Sequence, residues 1–411
     1  MRISTSLMYG RGLSTINSQQ ADLVHIFQQV GTGRRILTPA DDPLGAAKSI
    51  NLGQTEALNA RYGANRAIAA QNLGLEDNVL NTIMLRVQDI KTRIVEAGNG
   101  TYSDEERRTL ANVLRAAYDD LFAQANATDG NGQYLFSGYT GDTPAYVKDG
   151  AGKVVWNGSP GERLIQVDQT RRLSSSDIGL DIFNRATPGS RDYITSADPA
   201  NAGTALVKTP SINDPIGPNV GHDFTITFAG DPPAYTVAVT DADGNPIGGT
   251  QGPFPYQSGT AIDMGGVQVF IEGEPQPGDV FKVENAQSAD LDLFATLDAV
   301  IAALEAPADG DPVAMARVVN MLSTVNQKLD INHDNILTVR ASVGARLNEL
   351  EALDANGEVR NLNYKDQLSK LEDVDYYQAI SKLQLREMAL QAAVSAFQSI
   401  QTTTSLFNMR R

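Results

Sequence analysis

Proline does more than any other residue to limit what this chain can become. Of its 18 prolines, 12 fall between Pro188 and Pro277, none lies between Leu44 and Thr143, and none follows Pro312. A proline inside a helix removes a backbone hydrogen bond and clashes with the preceding turn, so proline-free stretches permit long helices and proline clusters forbid them. The chain therefore reads as two helical blocks around a block of another kind. Charge follows the same division. Residues 187–286 hold 3 Lys/Arg against 12 Asp/Glu, which supplies −9 of the net −16. The predicted fold class is α+β and multidomain: a long antiparallel helical bundle or coiled coil built from both chain ends, with an inserted β-rich domain. The expected divisions are terminal coiled-coil helices at 1–40 and 375–411, a helical rod with short hairpins at 41–186 and 287–374, and an acidic β-rich outer domain at 187–286.

Apolar spacing gives the elements. From Pro43 to Ala97 one pattern carries Ile68, Leu75, Val79, Ile83, Val87, Ile90 and Ile94, and Gly98-Asn99-Gly100 ends it. A helix of that length would extend about 80 Å, which suits a coiled coil, bundle or fibre. Ser103 and Glu106 form a capping-box pattern before Leu110, Val113, Leu114, Ala117, Leu121 and Ala125. Period two then replaces the helical spacing. Val154–Trp156 and Leu164–Val167 flank Asn157–Gly161, read as a turn joining two strands. Phe224–Phe228 and Tyr235–Val239 alternate, Asp243-Gly244 and Gly265-Gly266 are hairpin signals, and Val280–Val283 is the expected closing strand. Helical spacing returns at Leu291, Phe294, Leu297, Val300, Ile301 and Leu304. After the Pro307/Pro312 break a long helix is expected from Val313 to about Leu353, a turn at Asn356-Gly357, and a last helix to Phe407.

The two ends carry narrow seams. Leu13, Ile16, Gln20, Leu23, Phe27 and Val30 alternate spacings of three and four, and Leu383, Leu390, Ala393, Phe397, Ile400, Thr404 and Phe407 form a second row. Polar Gln20 and Thr404 weaken packing and help fix register. A helix with one narrow seam buries little by itself, so both termini are expected to order on assembly, against each other and neighbouring copies. An ordinary intramolecular helix pair is the alternative. The candidate assembly residues are Leu13, Ile16, Leu23, Phe27, Val30, Leu383, Leu390, Phe397, Ile400 and Phe407. Between the first seam and the first long helix, Gly31–Gly45 is a helix stop followed by a helix start. Gly33 permits a left-handed helix end, Pro39 favours extended backbone, and Asp42 can cap a helix whose first residue is Pro43.

Chemistry is sparse. The chain lacks cysteine, so disulfide frameworks and thiolate metal sites are excluded. A net charge of −16 argues against nucleic acid or an anionic membrane as partner, no apolar run approaches a membrane span, and residues 1–30 lack a cleavable signal pattern. His25, His222 and His333 are scattered without ligand spacing. Asp41-Asp42 reads as cap and first-turn charge rather than a metal pair. Gly31-Thr32-Gly33 lacks the remainder of a dinucleotide loop, and Asp241–Asn245 lacks the terminal ligand of a calcium loop. No enzyme activity and no cofactor are expected.

These residues resemble the flagellin-like axial proteins of bacterial flagella, and among them the hook–filament junction proteins of the FlgL (hook-associated protein 3) family. The likeness rests on Met1–Thr5 and Gly31–Gly45 (the family's SGxRI…PADDP pattern), Tyr134–Gly138 (an FxG turn), Ala389–Ala393 and Ser405–Phe407. The β block adds Gly259–Ile262, Gly266–Val269 and Gly273–Asp279. Residues 14–40 lack the NxANxxTPG signature of hook and rod proteins, and the basic tail Asn408–Arg411 departs from the flagellin ending. The resemblance implies paired terminal helices forming an inner layer with other copies of the chain, a next layer of long helices and an outward β domain. It also implies export by the flagellar type III apparatus with an uncleaved signal, an extracellular place on the flagellum, and partners FlgK, flagellin and the chaperone FlgN. A flagellin is the nearest alternative; a secreted binding protein using the β block is more remote.

Overall fold

The computed structural model describes residues 5–98 and 102–408, with side chains from 7 to 402 within those bounds. The helices are α1 (Thr5–Thr32), α2 (Pro43–Ala97), α3 (Asp104–Ala125), α4 (Gly179–Phe183), α5 (Leu293–Glu305), α6 (Pro312–Glu372) and α7 (Tyr376–Asn408). The chain forms two compact units, one from 1–64 with 352–411 and one from 65–351. The division falls inside α2 and α6 rather than at the Gly31–Gly45 linker, because both helices continue past it.

The 65–351 unit holds the main core. Leu80, Ile83, Val87, Ile90 and Ile94 of α2 are buried with Leu110, Leu114 and Leu121 of α3, Leu297, Val300, Ile301 and Leu304 of α5, and Val318, Leu322, Val325 and Leu329 of α6. Spacings of three and four put each set on one face of its helix. Phe294 centres an aromatic cluster, 5.6 Å from Tyr118 and 5.1 Å from Tyr146. The capping box at Ser103 and Glu106 is formed in both directions, which stops α3 fraying where it enters the core. After α3, Leu135 and Phe136 plug into the same core, and the chain turns back at Gly138. Its φ is +68°, and a Cβ there would lie 2.1 Å from the Ser159 carbonyl oxygen, so only glycine fits.

The short strands pair differently from the sequence expectation. Val154–Trp156 (β2) pairs with Tyr146–Lys148 (β1), and Leu164–Gln166 (β3) pairs with Arg172–Ser174 (β4). Asn157–Gly161 therefore connects two hairpins instead of closing one. The hairpin turns are Asp149–Lys153 and Asp168–Arg171, where Asp149 Oδ1 accepts from the Ala151 and Lys153 amides and the Arg171 amide bonds the Asp168 carbonyl.

The proline-rich block is β throughout. Strands β5 (Tyr193–Ala197), β8 (Asp223–Ala229), β9 (Ala234–Thr240), β10 (Gln251–Pro255) and β13 (Val280–Asn285) form an antiparallel sheet in the order β10-β9-β8-β13-β5. A smaller sheet joins β6 (Leu206–Val207), β7 (Ser211–Ile212), β11 (Ala261–Asp263) and β12 (Val267–Glu272). Alternation in β8 turns Phe224, Ile226 and Phe228 inward onto Val237, Val239, Phe281 and Val283. The expected closing strand, β13, lies within the sheet, flanked by β8 and β5. The block is joined to α6 by buried hydrogen bonds. Asn320 accepts from the Val207 amide (3.0 Å) and donates to the Ala205 carbonyl (2.9 Å). Gln327 accepts from the Thr195 amide (2.9 Å), and the Thr324 hydroxyl donates to the Thr195 carbonyl (2.7 Å). Nearer its middle, Asn332 donates to the Leu291 carbonyl and Asn335 to those of Asp181 and Ile182.

A second correction concerns Asn356-Gly357, which lies inside α6 and not at a turn. In the 1–64/352–411 unit the buried Asn59 of α2 donates 2.8 Å to the Gly357 carbonyl. Helix pairing there outweighs a glycine propensity cost of about 1 kcal/mol. The chain breaks instead at 373–375, between α6 and α7.

Candidate assembly surface

The assembly candidates occupy α1 and α7 of the 1–64/352–411 unit. The two helices run antiparallel: Tyr9 meets Phe397 edge-on at 5.4 Å, Asp22 pairs with Arg386 at 3.1 Å, and Gly33 lies beside Tyr376. The half-buried row on α1 is Tyr9, Gly12, Ile16, Gln19, Leu23, Ile26 and Val30. Its counterpart on α7 is Ala379, Leu383, Arg386, Leu390, Ala393 and Phe397. Both keep strict alternation of three and four, the spacing of a coiled-coil seam.

Ile16, Leu23, Val30, Leu383, Leu390 and Phe397 thus come together on this seam. Leu13 and Phe27 do not. They sit one position off it, 55% and 67% exposed, in a neighbouring row with Val24. Ile400 is 41% exposed, and α7 also displays Ile380, Leu385 and Met388. The Phe407 side chain lies outside the described residues. Sequence reasoning missed Tyr9, Gly12, Gln19 and Ile26. Two adjacent apolar rows compete on α1, and the signal that separates them is Gly12, whose missing side chain admits the Phe397 ring.

The linker is tied to the α6–α7 break by backbone bonds. The Arg35 amide donates to the Glu372 carbonyl (2.6 Å) and the Val374 amide to the Gly33 carbonyl (2.9 Å). Arg35 also reaches the Leu371 carbonyl (2.7 Å) and Asp42 (3.3 Å). Gly33 has φ +72°, the left-handed end its sequence position implied. Pro39 is exposed in the turn that follows. Asp42 caps α2 at Pro43, accepting from the Gly45 amide at 2.9 Å. That bond, followed by Arg35, holds its carboxyl below the ordinary range. Asp41 serves the linker instead. It accepts from the Leu37 and Thr38 amides, and the Thr38 bond is the main cause of its lowered pKa. His25 stands 3.4 Å from Asp41. Gly45 is fixed by this cap, since a Cβ would meet Asp42 Oδ2 at 2.4 Å and Ile36 at 2.9 Å.

Among the described residues no cluster of three potential metal ligands occurs. No helix there is long and apolar enough to cross a membrane. What the surface offers is packing and register.

Comparison with known proteins places this arrangement. The bacterial flagellin N-terminal helical region matches residues 3–140. Flagellar hook-associated protein 3 of Escherichia coli K12 is 30% identical over 411 residues, covering all of both chains. The crystal structure of the flagellar junction protein FlgL from Legionella pneumophila is 26% identical, with a TM-score of 0.63 over 80% of this chain and all of that one. By contrast, phase 1 flagellin of Salmonella naestved is 25% identical over only 42% of this chain and 32% of its own. A full-length likeness in sequence and fold, with flagellin likeness confined to part of the chain, means that this chain belongs to the flagellar hook-associated protein 3 (FlgL) family, structural proteins of the hook–filament junction.

Proposed function

We propose that this chain is the adaptor joining the hook-side junction protein FlgK to the first flagellin subunits, as one of several copies in the flagellar axis. The observation that carries the reading is the set of apolar side chains left exposed on each terminal helix. Leu13, Val24 and Phe27 on α1, and Ile380, Leu385 and Met388 on α7, remain exposed after the two helices have paired. A coiled-coil pair that still presents apolar side chains is suited to further helices in the same layer. In this reading residues 1–40 and 375–411 order fully only in the assembly, and the acidic block 187–286 faces outward. The chain leaves the cell through the flagellar type III apparatus, with FlgN shielding α7 beforehand. The role is mechanical, without enzymatic chemistry.

A strain lacking this chain tests the proposal. Bare hooks with flagellin shed into the medium are expected; normal filaments and swimming overturn it, and absence of flagellin altogether makes the chain the filament subunit. Complementation with Phe27→Asp separates surface from fold. Phe27 is exposed, so the purified variant should keep its helix content while failing to restore filaments. Full restoration would remove the exposed row from the interface.

A further inference from the structure

The 65–351 unit contains a carboxyl group that neither the core nor the assembly surface explains. Glu76 of α2 is 0% exposed. Its carboxyl oxygens accept from the backbone amide of Asp177 at 3.1 and 3.3 Å, and its carboxyl also meets the Asp177 side chain. The nearby cation does not contact it. Arg346 of α6 pairs with the Asp177 carboxylate and reaches the Ser174 carbonyl at 3.4 Å. Of the other charges nearby, Asp77 holds Arg340 at 2.9 Å, Arg171 holds Glu349 at 2.6 Å, and Arg163 is engaged by Gln133, the Tyr134 carbonyl and the Ser176 hydroxyl. Two carboxyl groups thus share one guanidinium, which pairs with Asp177.

We propose that Glu76, Asp177 and Arg346 form a proton-held lock fastening the segment that follows hairpin β3–β4 to both long helices. With a proton on Glu76, its hydroxyl donates to the Asp177 carboxylate, its carbonyl oxygen accepts from the Asp177 amide, and Arg346 neutralises Asp177. Loss of that proton leaves two adjacent carboxylates with one cation, one of them fully buried. The lock is closed in the protonated state and opens as pH rises. Burial first, then the Asp177 charge, raise the Glu76 pKa well above its usual 4.5. Because the folded value is the raised one, the stabilising effect is complete below the unfolded value and is lost as pH rises from there toward the folded one. Within that window the unfolding equilibrium constant grows up to about tenfold per pH unit.

The sole tryptophan, Trp156, lies in β2 of this unit and reports its unfolding. Urea titrations of the full chain by Trp156 fluorescence, at pH values from about 5 to 9, should show the midpoint falling as pH rises. Glu76→Gln, which keeps an acceptor for the Asp177 amide and a donor for its carboxylate, should flatten that fall and raise the midpoint at neutral pH. The opposite sign overturns the lock: a Gln variant weaker than the parent at neutral pH means that Glu76 is ionised and stabilised by Arg346. Parallel pH profiles for parent and variant overturn it as well. Should Glu76→Gln fail to fold, Asp177→Asn serves instead. By freeing Arg346 and removing the second carboxylate it is expected to shrink the alkaline loss, and an unchanged loss refutes the lock.

Discussion

Gly12→Val is the sharpest test of how the terminal helices pair. A Cβ at position 12 would stand 2.7 Å from Phe397 Cδ2 and 3.0 Å from Cε2. Either the ring stays and the seam is overpacked, at about 1–3 kcal/mol, or it swings away and gives up its edge-on contact with Tyr9 at 5.4 Å, worth about 0.5–1.5 kcal/mol. Against this, replacing glycine by valine in a helix returns roughly 0.4 kcal/mol of propensity. Crowding then wins by about 0.6–2.6 kcal/mol if the ring stays and by about 0.1–1.1 kcal/mol if it swings away, so along the cheaper route the pairing equilibrium drops by a factor of up to about 6. The assay combines helix content of the purified chain by circular dichroism with filament counts in a complemented null strain. Both should fall. Phe397→Leu, which removes the ring, should combine with Gly12→Val at less than the summed loss, with a coupling of about 0.5 kcal/mol or more. Strictly additive effects would refute a functional state in which Gly12 and Phe397 meet.

Two further outcomes follow from polar contacts. Gln327→Ala strands the buried Thr195 amide and hydroxyl that Gln327 satisfies, so the 65–351 unit should lose about 1–3 kcal/mol, read as a lower urea midpoint; an unchanged midpoint would mean the joint is hydrated. Asp42→Ala removes the cap on the Gly45 amide and the contact with Arg35, and should speed amide exchange at the start of α2, whereas Asp42→Asn should not. Because the folded Asp42 pKa is lowered, acidification below the usual 3.8 should weaken the cap in the parent protein, though less than the alanine change does, since the protonated carboxyl keeps an acceptor oxygen; a parent that frays equally at neutral pH would count against the cap.

Much of the fold was legible because its punctuation is strong. Proline set the limits of the long helices, Ser103 and Glu106 announced α3, and Asp42-Pro43 announced α2. The misreadings arose where two local signals compete. On α1 the row through Leu13 and Phe27 is as apolar as the row that meets α7, and hydrophobicity alone cannot tell which of them pairs within the chain. The seam is set by Gly12 and Gln19, which no hydrophobic pattern selects. At Asn356-Gly357 a good turn dipeptide is overruled by a hydrogen bond from Asn59, nearly 300 residues away in sequence. Strands β2 and β3 were correctly placed but wrongly paired, since pairing depends on turns at Asp149 and Asp168 whose sequence signals are weaker than Asn157-Gly158. Glu76 lies in the middle of a helical pattern, where nothing in the spacing sets a buried carboxyl apart from a solvated one.

The joint between α6 and the β block has a consequence for how this protein can vary. Most of what Asn320, Thr324 and Gln327 hold in the block is main chain: the Val207 amide, the Ala205 carbonyl, and the amide and carbonyl of Thr195, with the Thr195 hydroxyl as the side chain they also bond. A socket that grips backbone is largely indifferent to the side chains it holds. The β block can therefore exchange most of its surface residues without renegotiating its seat on α6.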